Sequence, residues 1–419
     1  MKKNKSLLLA ACLLLGGCSA NAQPDAASDN TTEKTEITLW HTFTEVHEET
    51  LQNIISEFNA SQDAYTVTAL TQPLDGFSSK VYEAASNGTG PDMVMLDASV
   101  AADYAEEGMA IDFSDYLDIN TYQSRVSEGL FEESTDFADG AWHCIAIQST
   151  GPVFFYDKTL YDELGLSAPK SWDDVENSSK KIYEAKGIPG FAVDSIPDLA
   201  IMLLNQSGVG YIDKETKTVN WQDDRYIELV EWFAKGVQEG YFQLAPTTGD
   251  YNSGDIGAHV LGAYIGSSAG LPFLDLGDHE LACTSVPQLS NGAEKWVQQW
   301  TRNIIGFKSN ETKEKGVAAF AEYFTNADNA AAWAIAFGGF SPYSDADSTS
   351  AYKEYIAGNI ALQALALQND YAGALPVLKG SSTVRTELEK AVKKAATAQA
   401  SAKDALNEAV QAANLALSE

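Results

Sequence analysis

Residues 36–97 read EITLWHTFTEVHEETLQNIISEFNASQDAYTVTALTQPLDGFSSKVYEAASNGTGPDMVMLD, and the rhythm of this stretch decides the fold. Residues 36–40 alternate and are rich in Ile, Thr and Trp, which predicts a strand. Over 50–59, Leu51, Ile54, Ile55 and Phe58 fall on one face of a helix. A second strand is expected at 65–70 and a second helix at 77–85, stopped by Asn87-Gly88-Thr89-Gly90. Pro91-Asp92 then opens a third strand, 93–96. Strand, helix, strand, helix, strand within about sixty residues is the pattern of a parallel α/β sheet. Such sheets bind ligands beyond the carboxyl ends of their strands, here the loops after Trp40, Leu70 and Leu96.

The alternation continues outward. Residues 142–147 and 152–156 read as a strand pair split by Gln148-Ser149-Thr150-Gly151, and Ser171 is placed to cap a helix running to 185. Helices are expected at 198–206 and 224–239, and strands at 256–265 and 281–287. Further helices follow at 312–324, 327–337 and 351–367. An Ala-rich stretch from 384 onward supports two closing helices, with 399–403 between them. No repeat is evident beyond this alternation.

Ahead of the body, Lys2, Lys3 and Lys5 precede an apolar run over 7–15 that closes on Leu15-Gly16-Gly17-Cys18. That is the layout of a secretory signal, and the run falls well short of the ~20 residues a membrane-spanning helix needs. Residues 21–36 are polar and without periodicity, a tether to the globular part. The remaining ~380 residues exceed one ordinary domain, so two lobes are expected.

The formal charge is −32, and loss of the three leading lysines makes the surface more negative still. Nucleic acid is thereby excluded as a partner, because its binding rests on Lys and Arg neutralising phosphates. Arginine is confined to Arg125, Arg225, Arg302 and Arg385. Beyond the leader only Cys144 and Cys283 remain, either as one disulfide or as two free thiols. His41 and His47 with Glu45 and Glu48 lack metal-ligand spacing, and the other three histidines are scattered, so no metal and no cofactor is expected. None of the common hydrolase or nucleotide-binding motifs occurs. Most of the eight tryptophans sit within apolar elements and read as core, with Trp172 and Trp300 the two expected to face a ligand.

These residues resemble a known family, the extracellular solute-binding proteins of ABC importers, of the large carbohydrate-binding type. The likeness is carried in order by the lipobox ending at Cys18, by ITLWHTF, by GTGPDMVMLD, and by VFFYDKTLYDELGLSAPKSWDDV. The late GVAAFAEYFTNADNAAAWAIAFGGFSPYSDA is similar to the family's crossing helix and third hinge. The resemblance implies a non-enzymatic, two-lobed α/β fold of the periplasmic-binding-protein type, with a ligand cleft between lobes joined by three hinge crossings near Gln148, Ile265 and Gly338. It also implies acylation of Cys18, placement on the outer face of the cell membrane, a membrane permease as partner, and a monomer. The lipid anchor points to a Gram-positive-type envelope.

The finer likeness is to glycerol-3-phosphate-binding proteins. Carried over by position, it implies that Thr150 in QSTGP and Ser268 in GSSAG bond ligand oxygens, that Trp172 packs on the glycerol face, and that Arg385 clamps a phosphate. Phe77 stands where that family has a tyrosine, and Asp97 near its glutamate. WTRNII departs from a family glycine pair, which puts Arg302 in the cleft as a second charged fork. The expected organisation is a signal peptide over 1–17, a tether over 18–35, an N-terminal lobe of 36–147 and 266–337, and a C-terminal lobe of 148–265 and 338–419. The expected ligand is glycerol-3-phosphate or a glycerophosphodiester. A neutral oligosaccharide is the first rival, and a surface-anchored hydrolase or adhesin the second.

Overall fold

The computed structural model describes residues 34–418 apart from 74, 75, 249, 250 and 377, so the signal sequence, Cys18 and nearly all of the tether lie outside the described residues. The described residues hold twelve strands: β1 (Thr35–His41), β2 (Tyr65–Thr71), β3 (Met93–Leu96), β4 (Ile145–Thr150), β5 (Pro152–Asp157) and β6 (Phe191–Val193), followed by β7 (Phe242–Gln243), β8 (Ala263–Ser267), β9 (Leu281–Thr284), β10 (Val297–Gln298), β11 (Trp300–Gly306) and β12 (Ala372–Gly373). They form two five-stranded sheets, ordered β2-β1-β3-β11-β4 and β7-β6-β8-β5-β9, and a small β10-β12 pair.

The opening unit folds as its rhythm implies. β1 runs parallel to β2 and to β3, and helix Glu45–Ser61 buries Leu51, Ile54, Ile55 and Phe58. Burying each such side chain contributes about 1.5–3 kcal/mol. Every residue of β3 is buried, so both faces of the sheet are covered. The sheet is nevertheless mixed, because β11 returns late in the chain and lies antiparallel between β3 and β4. The second sheet is mixed too, with β6 parallel to β7 and β8 and β5 antiparallel to β8 and β9. Each sheet carries its own apolar core. Around the first sheet Phe58, Phe320 and Trp333 are fully or almost fully buried. Around the second, Phe154, Phe191 and Trp221 pack with the closing helices Ser381–Ala396 and Ala402–Ser418.

Gly190 illustrates how tightly the second core is drawn. A Cβ added there would lie 2.2 Å from the Cα of Ser179, closer than any side chain permits.

Three readings need correction. The stretch 256–265 is not one strand: helix Asn252–Gly257 occupies its start, and β8 begins only at Ala263. The carboxylate of Asp255 fixes that helix by accepting from the backbone and hydroxyl of both Thr247 and Thr248 at 2.6–2.9 Å. Nor does the chain leave the second sheet near Ile265, since β9 still belongs to it. The passage falls at Gln299, between Val297 in the second core and β11 in the first sheet. Residues 351–367 form two helices rather than one, Ser350–Gly358 and Ile360–Ala366, divided at Asn359. Cys144 and Cys283 are both free thiols.

The first passage between sheets is the single residue Gly151, and another follows Gly338, which closes helix Ala327–Phe337 in a left-handed conformation (φ 78°). All three passages meet at Ser149. Its backbone exchanges hydrogen bonds with Phe340 at 3.0 and 2.8 Å, and its hydroxyl accepts from Gln299 Nε2 at 2.6 Å.

Candidate ligand-binding cleft

Two adjoining cavities open where the lobes face each other, of about 440 and 620 Å³. Trp300 lines both. The smaller is bordered by Asp97, Asp103 and Glu133 from the first lobe and by Tyr211 and Arg385 from the second. The larger is bordered by Asp194, Asp198 and Tyr264, with Tyr251 and Phe273 at its edge. Those last two rings are 65% and 78% exposed, far more than aromatic side chains that serve only the core.

The second-lobe wall is built by a helix start. Ser195 caps helix Ile196–Gln206 with its side chain, Pro197 occupies the first turn, and Asp198 follows in that turn, where the helix N-terminus favours an anion. Asp198 Oδ1 accepts from Arg385 Nη1 at 2.5 Å, while Arg385 Nη2 donates to Ser195 Oγ at 3.2 Å. The Gln298 amide, oriented by its neighbours, donates to the same Asp198 oxygen at 2.8 Å and accepts from Trp300 Nε1 at 2.9 Å. Indole, amide, carboxylate and guanidinium thus form one chain across the meeting of the cavities. Nearby, Asp194 accepts from the backbone and side chain of Asn252 at 2.9 and 2.8 Å. Burial raises its pKa against the pull of those bonds.

The first-lobe wall is less neutralised. Asp97 follows the third strand and is crowded enough that loss of water raises its pKa, opposed by Arg302 and Arg385. Its closest cation is Arg302, at 3.3 Å. Glu133 accepts from Thr301 Oγ1 at 2.7 Å, yet loss of water and the charge of Asp97 hold its carboxyl up at about 7. Among the described residues, five carboxylates line the two cavities and Arg385 is the only basic side chain that does so.

Of the positions singled out in the sequence, Asp97 and Arg385 line the smaller cavity together, and Arg302 reaches it through Asp97. Thr150 ends β4 opposite Trp300 and is buried at the first passage. Ser268 is also buried: its hydroxyl has no partner and its backbone N–H donates to Gly151 O at 2.9 Å. Phe77 packs in the first-lobe core with Val81 and Val94. Trp172 does not face the cleft. Its ring packs against Phe191 and Trp232, and Nε1 donates to Gln206 Oε1 at 2.8 Å. Ser171 and Asp174 close a capping box at 3.2 and 3.0 Å that fixes where the helix starts, and the distant Gln206, Phe191 and Trp232 receive the ring on its inner side. Among the described residues, none from the loops after Trp40 and Leu70 borders either cavity, whereas the loop after Leu96 does, through Asp97, Ala98 and Ser99. Sequence reasoning missed Glu133, Ser195, Asp198 and Gln298. Only Ser195 and Asp198 carried a signal, the Ser-Ile-Pro-Asp pattern of a helix start.

Two α/β lobes around a polar, aromatic-edged cleft define a binding protein that captures a small solute. The model of the family described as bacterial extracellular solute-binding protein matches residues 53–359, and the chain belongs to that family. It is a family of binders rather than enzymes. Among curated proteins, the chain is 28% identical over 174 residues to the sn-glycerol-3-phosphate-binding periplasmic protein UgpB of Rhizobium meliloti, covering 37% of this chain and 38% of that one. The UgpB of Agrobacterium fabrum is 26% identical over 171 residues, 39% of each chain. The matched region thus spans only about two-fifths of these relatives. Among solved structures, the cyclic alpha-maltosyl-1,6-maltose binding protein from Arthrobacter globiformis superposes with a TM-score of 0.80 at 21% identity, over 92% of this chain and 99% of that one. UgpB from Mycobacterium tuberculosis in complex with glycerophosphocholine gives 0.78 at 15% identity over the same shares. Both likenesses establish the fold.

Proposed function

We propose that this chain is the solute-binding component of an ABC importer and that its cleft captures a neutral, polyhydroxylated solute of the oligosaccharide class. The observation that carries the reading is the charge of the walls: five carboxylates and one arginine, whose guanidinium is already held by Asp198 and Ser195. A phosphate ester would face a net negative cleft and would have to draw Arg385 away from its acid. Sugar hydroxyls meet the opposite situation, since they donate to carboxylate oxygens, and an exposed indole or phenyl ring packs on their C–H faces. Closure of the lobes around such a solute strengthens each bond by excluding water, and the closed form is what a permease in the membrane reads. A lipid on Cys18 would hold this trap beside that permease on the outer face of the membrane.

The phosphate-ester reading stays as a second proposal on one ground, the names of the UgpB relatives. Calorimetric titration of the purified chain with a maltooligosaccharide, glycerol-3-phosphate and glycerophosphocholine separates the two. Binding of the sugar alone is the expected outcome. Binding of glycerol-3-phosphate that disappears in Arg385→Ala, with no heat from the sugar, overturns the first reading in favour of the second.

A further inference from the structure

Away from the cleft, the second lobe brings together three side chains that the sequence leaves 20 to 122 positions apart. Asp157 ends β5, His259 follows helix Asn252–Gly257, and His279 precedes β9. Each offers one ligand atom, and these atoms all lie within 4.8 Å of one another. We propose that Asp157, His259 and His279 form a binding site for a borderline divalent transition-metal cation, with zinc as the representative.

The geometry argues for more than a histidine–acid hydrogen bond. His279 Nδ1 lies 2.5 Å from Asp157 Oδ2, and that contact alone would account for His279. It leaves His259 unexplained. The His259 ring sits with its centroid 4.1 Å from that of His279, and its Nδ1 lies 3.6 Å from the same carboxylate oxygen without a hydrogen bond to it. Two imidazoles therefore converge on one oxygen, and only His279 is hydrogen-bonded to it. A dication bound by all three replaces the shared proton and satisfies both rings. Tetrahedral zinc–nitrogen and zinc–oxygen bonds of about 2.0–2.1 Å set neighbouring ligand atoms roughly 3.3 Å apart. The 3.6 Å contact fits that spacing already, and the 2.5 Å contact opens by less than an ångström once the proton leaves.

The surroundings are consistent with a held but reachable site. Asp157 is 1% exposed, and its other oxygen accepts from the Leu160 backbone at 2.9 Å, which fixes the carboxylate. The histidine side chains are 39% and 30% exposed, so a hydrated ion can arrive and keep a water as fourth ligand. His259 stands in a left-handed conformation (φ 58°), the backbone turn that brings its ring over His279. Lys158, next to Asp157 in the chain, is paired with Asp162 at 2.6 Å and Glu280 at 3.3 Å, so its charge is already met by two acids. Two imidazoles and one carboxylate select zinc, nickel or copper over magnesium and calcium, which demand oxygen donors.

The test is calorimetric titration of the purified, chelator-treated full chain with zinc chloride, beside the variants His259→Gln, His279→Gln and the double variant. The expected result is one site per chain, weakened at least tenfold by either substitution and lost in the double variant, with magnesium chloride giving no such site. Cobalt(II) adds a visible absorption band in the wild type that is missing in His279→Gln. Circular dichroism establishes that each variant is folded, which the partly exposed positions of both rings favour, and Asp157 is left unaltered because it also caps a helix. Zinc binding of unchanged stoichiometry and affinity in the double variant, or no zinc binding by the wild type, overturns the proposal.

Discussion

The two walls of the cleft are both acidic, but folding treats their acids differently. On the second-lobe wall, Asp198 is spoken for: it accepts from Arg385 and Gln298, and the chain runs on to Trp300. On the first-lobe wall, Glu133 has one hydroxyl partner, and the charge that acts on its carboxyl, Asp97, is of like sign. The first kind of acid organises the site. The second kind is left with acceptor capacity facing the cavity, where only a ligand or a proton can use it.

The strongest way to break this comparison is to remove the organising acid. Asp198→Ala removes a buried carboxylate and leaves Arg385, about a third exposed at the cavity wall, without it, and the expected loss is about 2 kcal/mol of unfolding free energy in urea denaturation. A loss no larger than that of an ordinary surface substitution would mean that the second wall is not organised by its ion pair. Next comes Trp300→Ala, which removes the ring shared by both cavities. Sugar binding, where calorimetry detects it, should weaken by about 2 kcal/mol, roughly 30-fold.

Glu133→Gln sharpens the contrast through pH. The folded chain keeps the Glu133 proton up to about pH 7, whereas the unfolded chain releases it near the ordinary value of 4.5. The native state therefore binds more protons over that interval, and the group's contribution to stability falls as pH rises through it. The glutamine variant should lose this slope and be more stable than wild type at pH 8 by about 1–2 kcal/mol, with no difference at pH 4. Equal pH dependence in both proteins would show that Glu133 titrates as an ordinary carboxyl. The smallest effect is expected from Arg302→Ala. Its pair with Asp97 is partly solvated, so stability should change by less than about 1 kcal/mol, while the Asp97 carboxyl titrates higher still in carbon-detected NMR.

What the sequence disclosed follows from which forces are local. The buried stripe of Leu51, Ile54, Ile55 and Phe58 and the cap at Ser171 depend on neighbours within a turn or two, and both were legible. The orientation of Trp172 was not, because the capping box that fixes where its helix starts and the Gln206 amide that receives its N–H act together in three dimensions. Arg385 was placed in the cleft by resemblance, but its partner lies 187 positions away among 59 acidic residues, with nothing in spacing to single it out. The late strand β11 was equally hidden. Its insertion between β3 and β4 is a long-range choice, and it delivers Trp300 and Thr301 to the site.

The meeting of the three passages at Ser149 constrains how this molecule can move. Ser149, two residues before Gly151, is tied to the segment after Gly338 through the Phe340 backbone and to Gln299 through that residue's side chain, so the passages bend as one band rather than as three independent joints. A band of that kind permits the lobes to nod toward each other and resists twisting one past the other. Trp300 begins immediately beside the band and is held to Gln298 across it. The environment of its indole therefore follows how far the lobes stand apart, and the difference in emission between the wild type and Trp300→Phe, each with its eight or seven indoles, reads it without any added label.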